Sequence, residues 1–299
     1  MYLFIINPLS GYGKSLVAWQ KIEKTLVEQQ IPYIALSSTS TIETTEFIAE
    51  QLQLTTIKAI AIIGGDGTTS SIIQELAETN TPVAIFPAGS GNDTAKMFRL
   101  TDEPNRFITG LLNERVMSVD LLKLNGYYGI TVAGTGIDSI IGNRVNHSFY
   151  KPFLNKLGIG SFSYTIATVI SLLSFKPFNG QVTVDQEVYK LNKAWLIACG
   201  NTTSYGGGLN ICPHAIPTDG LLNVTMLHNV GRLNVLFRLF PGLLRGGPVY
   251  KKGVSYIEGK IITIESDRPI PAIVDGEIIT STPLHIKIHE KALRLILTI

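Results

Sequence analysis

Residues 62–70 read Ile-Ile-Gly-Gly-Asp-Gly-Thr-Thr-Ser, and their order decides the fold: an apolar strand runs into a glycine-rich turn that opens a helix. Glycines let backbone N–H groups approach a phosphate closely, and a helix start adds the positive end of its dipole. Such a loop suits an anion. Asp66 would repel bare phosphate, and becomes useful where magnesium lies between its carboxylate and phosphate oxygens. On the loop alone, a plain turn with Asp66 merely ordering the chain remains an open alternative.

Outward from this loop, short apolar runs alternate with amphipathic stretches from residue 2 to about 115: YLFII, then 14–30, YIAL, then 43–53, IKAIAII, then 69–78, and VAIF. Strand and helix in repeated order predict a parallel sheet covered by helices. In the first helix Leu16, Trp19, Ile22, Leu26 and Val27 recur at helical spacing and predict one buried face. Two more polar, glycine-bearing turns follow strands: Asn7-Pro8-Leu9-Ser10-Gly11 and Pro87-Ala88-Gly89-Ser90-Gly91-Asn92-Asp93. Loops leaving successive parallel strands converge on the carboxyl edge of the sheet, where open α/β sheets bind ligands. Neither of two familiar nucleotide fingerprints fits the first turn. A Walker A loop ending at Lys14-Ser15 needs glycine where Pro8 stands, and a dinucleotide motif from Gly11 needs glycine where Leu16 stands.

After residue 115 the rhythm becomes strand-rich. SVDLLKL and YYGITVAG flank Asn125-Gly126, a strong hairpin signal, and QVTVD, AWLIACG, LLNVTML, KIITIES and LHIKIHE follow. The expectation is an α/β domain over 1–120 and an antiparallel β domain with inserted helices over 121–289. Residues 290–299 are candidates to return to the first domain. The 299 residues favour two domains.

The chain carries 25 basic and 23 acidic residues, a net charge of +2, too balanced for backbone-driven nucleic-acid binding. Apolar residues make up 45 % and charged ones 16 %, which excludes disorder as the main state. Cys199 and Cys212 cannot build a disulfide framework, and neither CxxC nor His spacing suggests zinc. MYLFIINPLSG lacks a basic leader and reads as a buried strand, so a cytoplasmic location is expected. The run 159–175 is broken by serines and threonines and reads as a packed helix. His214, His228, His285 and His289 read as ordinary imidazoles. Tyr127, Tyr128, Tyr164, Trp195 and Tyr205 read as packing or pocket walls.

GGDGT at 64–68, the P-x-G-[ST]-x-N-D element at 87–93, NPxSG at 7–11, Tyr205-Gly206-Gly207-Gly208, the stretch 213–220 and Asp275-Gly276-Glu277 together resemble the diacylglycerol kinase catalytic fold. Bacterial soluble diacylglycerol kinases carry it, and sphingosine and ceramide kinases share it. The resemblance covers nearly the whole chain. It implies an α/β nucleotide-binding domain with a parallel sheet plus a larger antiparallel β-sandwich domain, with ATP and a lipid bearing a free hydroxyl in a cleft between them. It also implies roles. Asn7, Thr39, Gly65, Asp66, Gly67, Thr68, Thr69, Ser70, Ser71, Ser90, Asn92 and Asp93 would hold ATP, Asp66 through magnesium. Glu277 would be the general base with Asp275 beside it. The carbonyls of Ile216 and Leu221, with the Asp219 carboxylate, would bind a second, structural magnesium.

Each role has a plainer alternative. Thr39 also suits a helix start, and Asp275-Gly276 also suits a hairpin turn with Glu277 on its flank. The chain departs from the family at Thr69-Ser70-Ser71, where Leu-Asn-Glu is usual, and at Thr218 and Asn223, where acids are common. NAD kinase shares GGDG and a β-rich second domain, but lacks the 87–93 element and the terminal DGE. A nucleotide-binding regulator with faded chemistry is the remaining alternative. The stretch GRLNVLFRLFPGLLR (231–245), with Lys251-Lys252 beyond it, reads either as a basic, apolar membrane contact or as a domain helix broken near Pro241. A homodimer fits a family of this kind.

Overall fold

The computed structural model describes residues 1–146, 169–206, 208–244, 249 and 252–299. Tyr164, Gly207, Arg245, Lys251 and most of the 159–175 run lie outside the described residues. Two compact units emerge, Met1–Leu121 with His289–Ile299, and Leu122–Ile288.

In the first unit β1 (Tyr2–Ile6), α1 (Lys14–Glu28), β2 (Tyr33–Ser37), α2 (Thr41–Leu54), β3 (Ala59–Gly64), α3 (Asp66–Leu76) and β4 (Val83–Pro87) alternate, followed by α4 (Asp93–Phe98) and α5 (Pro104–Asn113). The strands pair in parallel, β2 with β1, β1 with β3 and β3 with β4. β1 and β3 are buried along their whole length, as strands covered on both faces require. On α1 the buried residues are Ser15, Ala18, Trp19, Ile22 and Leu26, whereas Leu16 and Val27 are exposed. The buried stripe is therefore rotated, because Ser15 and Ala18 face the sheet. Trp19 packs on Phe4 at 5.2 Å and edge-on to Tyr33 at 5.8 Å.

The second unit opens where β5 (Val116–Leu124) turns at Asn125-Gly126 into β6 (Tyr127–Gly129). Both turn residues have positive φ, the type I′ geometry that suits Asn-Gly. Then come β7 (Val132–Gly136), α6 (Ile137–Asn146), β8 (Phe178–Val184), β9 (Glu187–Ala194), β10 (Leu196–Gly200) and β11 (Leu222–Leu227). β12 (Val254–Gly259), β13 (Ile261–Ser266), β14 (Pro271–Val274), β15 (Glu277–Ser281) and β16 (Leu284–Ile296) complete it. One antiparallel sheet runs β12-β11-β10-β7-β14-β15. The other joins β9, β8, β13 and the first half of β16. Side chains from both, among them Ile197, Cys199, Val224, Ile262 and Ile286, share one core. The second half of β16 lies in the first unit, where Leu295 pairs in parallel with Val83 of β4.

The helix expected to break near Pro241 continues. α7 (Arg232–Asn234), a π turn over Val235–Leu239 and α8 (Phe240–Leu244) follow one another with right-handed dihedrals at the joins. A proline clashes with the carbonyl four residues back, and a wider turn just before it relieves that clash. Among the described residues no helix is long and apolar enough to cross a membrane.

Candidate functional site

The three glycine-bearing loops of the first unit are tied to one another at the carboxyl ends of β1, β3 and β4. Asn7 Nδ2 donates to Thr68 Oγ1 at 3.0 Å, while Asn7 Oδ1 accepts the Leu9 N–H at 3.1 Å. Between the second and third loops the contact is backbone on backbone. A methyl added to Gly89 would sit 2.5 Å from Gly65 Cα, so only glycine permits the approach. Gly11 has φ +59, and a side chain there would meet the Ala88 carbonyl at 2.1 Å. Asn92, itself left-handed, closes the third loop by accepting the Gly89 N–H at 2.9 Å and donating to the Gly89 carbonyl at 3.0 Å.

Asp66 joins the second loop to the third. Its two carboxylate oxygens accept the N–H groups of Asp93 at 3.1 Å and Thr94 at 3.2 Å, the first turn of α4. Asp66 thus orders the loops, as the plainer alternative held, and places a negative charge on a helix start, where the dipole favours it. A carboxylate has about four lone-pair sites, so two amides leave it capacity for a further partner.

Around it Gly65, Asp66, Gly67, Thr68, Ser71, Ser90 and Asn92 are partly or fully exposed. Thr69 and Ser70 are not: each is 1 % exposed, and the Thr69 N–H is spent on the Gly65 carbonyl at 3.0 Å. Both hydroxyls face the interior because α3 turns its apolar side, Ile72, Ile73 and Leu76, inward. Asp93 is also buried and lies 4.0 Å from Lys96. Thr39 is exposed just before α2, but the capping oxygen belongs to Ser40, which accepts the Glu43 N–H.

In the second unit Asp275 and Gly276 form the tight turn between β14 and β15, both with positive φ, so this pair is a hairpin turn. The Asp275 carboxylate is well supplied: it accepts Ile130 N–H at 2.9 Å, Thr131 N–H at 2.8 Å and Thr131 Oγ1 at 2.6 Å. These donors come from the break between β6 and β7. The run YYGITVAG is therefore two strands, parted where Asp275 takes the ladder's amides. Asn201, fully buried, braces the same break by donating Nδ2 to the Ile130 carbonyl at 2.9 Å. Glu277, the first residue of β15, is exposed.

At the turn 216–221, Asp219 Oδ1 accepts the Leu221 N–H at 2.9 Å, and the Ile216 carbonyl accepts the N–H of Thr218 at 2.8 Å. One exposed carboxylate with backbone carbonyls is an oxygen-only donor set, which fits magnesium. Among the described residues no group of three or more His, Cys, Asp or Glu side chains could hold a metal.

Asp138 escaped the sequence reading. It is 4 % exposed at the start of α6, accepting Tyr205 OH at 2.8 Å and Ser139 N–H at 2.8 Å. Burial pushes its carboxyl up from an ordinary 3.8 to about 6, against the pull of those two donors. The signal was an acid two residues past an all-buried strand. Because the folded chain holds this proton between pH 4 and 6 while the unfolded chain releases it, stability falls as pH rises through that window. Above it the ionised group costs about 1–3 kcal/mol. Asp138→Asn is therefore expected to raise the melting temperature at pH 7.5 and to flatten its fall between pH 4 and 6, both read by thermal denaturation.

Cys199 and Cys212 are both buried and free, and burial pushes the Cys212 thiol to about 12, so neither is a nucleophile. His289 pairs with Glu78, and His214 stacks edge-on to Tyr256 at 5.4 Å.

Residues 1–124 match the model of the diacylglycerol kinase catalytic domain, and residues 131–297 that of the YegS C-terminal NAD kinase beta sandwich-like domain. A protein of Mycobacterium tuberculosis named diacylglycerol kinase is 31 % identical over 98 % of this chain and 93 % of its own. A crystal structure described as a "putative diacylglycerol kinase" from Bacillus anthracis str. Sterne superposes with a TM-score of 0.81 at 23 % identity, covering 99 % of this chain and 97 % of that one. An NAD kinase from Archaeoglobus fulgidus in complex with ATP shares the fold at a TM-score of 0.53 and 12 % identity, over 99 % of this chain and 93 % of that one. Two domain models that together span most of the sequence, and a relative alike along its whole length, agree: the chain belongs to the diacylglycerol kinase catalytic-domain family, a kinase family that acts on lipids.

Proposed function

We propose that this chain transfers the γ-phosphoryl group of magnesium-bound ATP to a hydroxyl of diacylglycerol or a similar lipid. The observation that carries this reading is the set of three loops locked together by Asn7, Asp66 and the Gly65–Gly89 contact, with the starts of α3 and α4 beside them. Phosphoryl transfer asks a protein mainly for alignment and charge neutralisation. The backbone N–H groups of 65–68 and 90–92, all partly or fully exposed residues, would supply donors for the phosphates, and Asp66 would offer its remaining lone pairs to the magnesium that arrives with the nucleotide. Asn7, Ser71 and Ser90 complete the polar surround. Exposed Thr39 offers a further contact to the nucleotide, while Thr69, Ser70 and Asp93 are buried and back the loops from the inside, the Thr69 N–H holding the Gly65 carbonyl.

Glu277 is the general base. As the acceptor oxygen bonds to the γ-phosphorus, the bond from that phosphorus to the β-phosphate oxygen breaks, ADP leaves, and Glu277 takes the hydroxyl proton. Asp275 positions it by pinning the hairpin to Ile130 and Thr131. A structural magnesium fits the carbonyls of Ile216 and Leu221 and the Asp219 carboxylate, where it would clamp the turn. With only one carboxylate, affinity should be modest. Asp219→Ala is expected to abolish any rise in melting temperature that millimolar magnesium gives the wild type, read by differential scanning fluorimetry without nucleotide.

The protein meets its lipid at the membrane surface. Arg238 is exposed and offers a cation to anionic headgroups, whereas Arg232 is spent internally, donating to the Leu172 and Phe175 carbonyls at 3.0 and 2.9 Å. Arg238→Glu is expected to weaken pelleting with phosphatidylglycerol vesicles by at least about fivefold, from about 1 kcal/mol for the lost cation with the repulsion of the new carboxylate added; equal pelleting would remove Arg238 from the contact.

The deciding experiment offers γ-labelled ATP with diacylglycerol, phosphatidylglycerol, a sphingoid base or NAD. Label in extracted lipid supports the proposal and names the acceptor. Label in NADP alone would make the chain an NAD kinase, and nucleotide binding without transfer to any acceptor would make it a regulator.

A further inference from the structure

The three loops of the first unit are negative, although the ligand proposed for them is an anion. Residues 7–13, 64–71 and 87–93 hold two carboxylates, Asp66 and Asp93, and no Lys, Arg or His. The helix α3, which leaves the second loop, has no cation along its whole length. Magnesium cancels only part of a triphosphate's charge, so the phosphoryl group in transit and the departing ADP still call for positive charge beside them. In the first turns of the helices that the loops open, two residues can supply it: Lys14, the first residue of α1, and Lys96 of α4.

Both stand at the contact between the loops. The position that a Gly11 Cβ would take is 2.1 Å from the Ala88 carbonyl oxygen and 3.3 Å from Lys14 Cβ, so the Lys14 side chain leaves from the seam that joins the first loop to the third. It is exposed, and its ammonium has no partner among the described residues. Lys96 Nζ lies 4.0 Å from Asp93 Oδ1, the side chains being 58 % and 10 % exposed. An exposed pair at this spacing is common on helices and worth little. Here the carboxylate is buried, and the Asp93 N–H is the one that meets Asp66. Asp93 therefore draws the Lys96 stem back toward the loops instead of leaving it to solvent. At 4.0 Å the ammonium is attracted but not hydrogen-bonded, so its three donors stay open.

We propose that Lys14 and Lys96 grip the polyphosphate of ATP from two sides, each ammonium donating to phosphate oxygens, and that they are cations on which phosphoryl transfer depends. This deepens the kinase reading and rests on it for the identity of the ligand. In the step, the γ-phosphorus bonds to the acceptor oxygen, the electron pair of the breaking P–O bond stays on the β-phosphate of ADP, and the acceptor proton goes to the base. Neither lysine exchanges a proton. Their part is to meet the charge that grows on the β-phosphate as that bond breaks.

Calorimetric titration of the full chain with magnesium-ATP and with AMP tests this on wild type, Lys14→Gln, Lys96→Gln and Lys96→Arg. Each glutamine variant is expected to bind ATP at least about tenfold more weakly, the loss of one charged hydrogen bond, with AMP binding unchanged. In Lys96→Gln, kcat for lipid phosphorylation is expected to fall by about 10²-fold. Lys96→Arg keeps the charge and is expected to recover ATP binding. Both lysines are exposed, so the melting temperature should hold in every variant. Unchanged ATP affinity in either glutamine variant, equal weakening of ATP and AMP, or a loss in Lys96→Arg as deep as in Lys96→Gln would overturn the clamp. A wild type that binds no ATP would instead sink the kinase reading itself, and its titration shows that before any variant is compared.

Discussion

Glu277→Gln is expected to lower kcat for lipid phosphorylation by about 10²- to 10⁴-fold, the usual contribution of a general base, while ATP affinity stays within about twofold, since the substitution leaves the three glycine-bearing loops unchanged. The amide keeps the shape of the acid and removes its ability to take a proton. Glu277 is exposed at the start of β15, so the change breaks no buried network. Its neighbour differs in kind. Asp275 accepts two amides and a hydroxyl, and its loss would loosen the hairpin as well as the chemistry. Steady-state rates set beside a nucleotide titration separate the two. Full activity in Glu277→Gln would remove this residue as the base.

The second large effect is expected from Gly89→Ala. The added methyl would lie 2.5 Å from Gly65 Cα and 2.9 Å from Asn92 Oδ1, the atom that closes the third loop. Backbone cannot yield as a flexible side chain does, so the loops must part, and Asp66 loses its alignment on the Asp93 and Thr94 amides. Overpacking of this kind costs about 1–3 kcal/mol of stability, and ATP binding should weaken by at least about tenfold, or ~1.4 kcal/mol. Gly231→Ala is the control, since nothing lies within 4 Å of the new methyl and its φ is an ordinary −76. Calorimetric titration with ATP reads both. Normal ATP binding by Gly89→Ala would mean that the loop contact is not part of the nucleotide site.

Much of this arrangement was legible in the sequence because it rests on local rules. Strand-loop-helix order gave the parallel sheet, and Asn125-Gly126 its hairpin. What the sequence hid depends on contacts distant along the chain. YYGITVAG alternates like one strand, and only Asp275, 144 residues from Thr131, shows why it breaks. Thr69 and Ser70 look like phosphate donors in a glycine loop, yet the inward face of α3 buries them. Arg232 looks like a membrane cation, yet it finds the open carbonyls at a neighbouring helix end. Pro241 signals a break, and a π turn upstream absorbs it. Asp138 follows an apolar run, where an acid is a local hint of burial, but its bond to Tyr205, 67 residues along the chain, has no linear signature.

The most direct measurement is the stoichiometry of one reaction: ADP released from ATP, counted against phosphate appearing in extracted diacylglycerol, with the wild-type chain, magnesium and mixed vesicles. The account predicts one phosphate in lipid for each ADP formed. ADP released with no lipid phosphate, or no turnover with this or any other hydroxyl-bearing lipid, would contradict it.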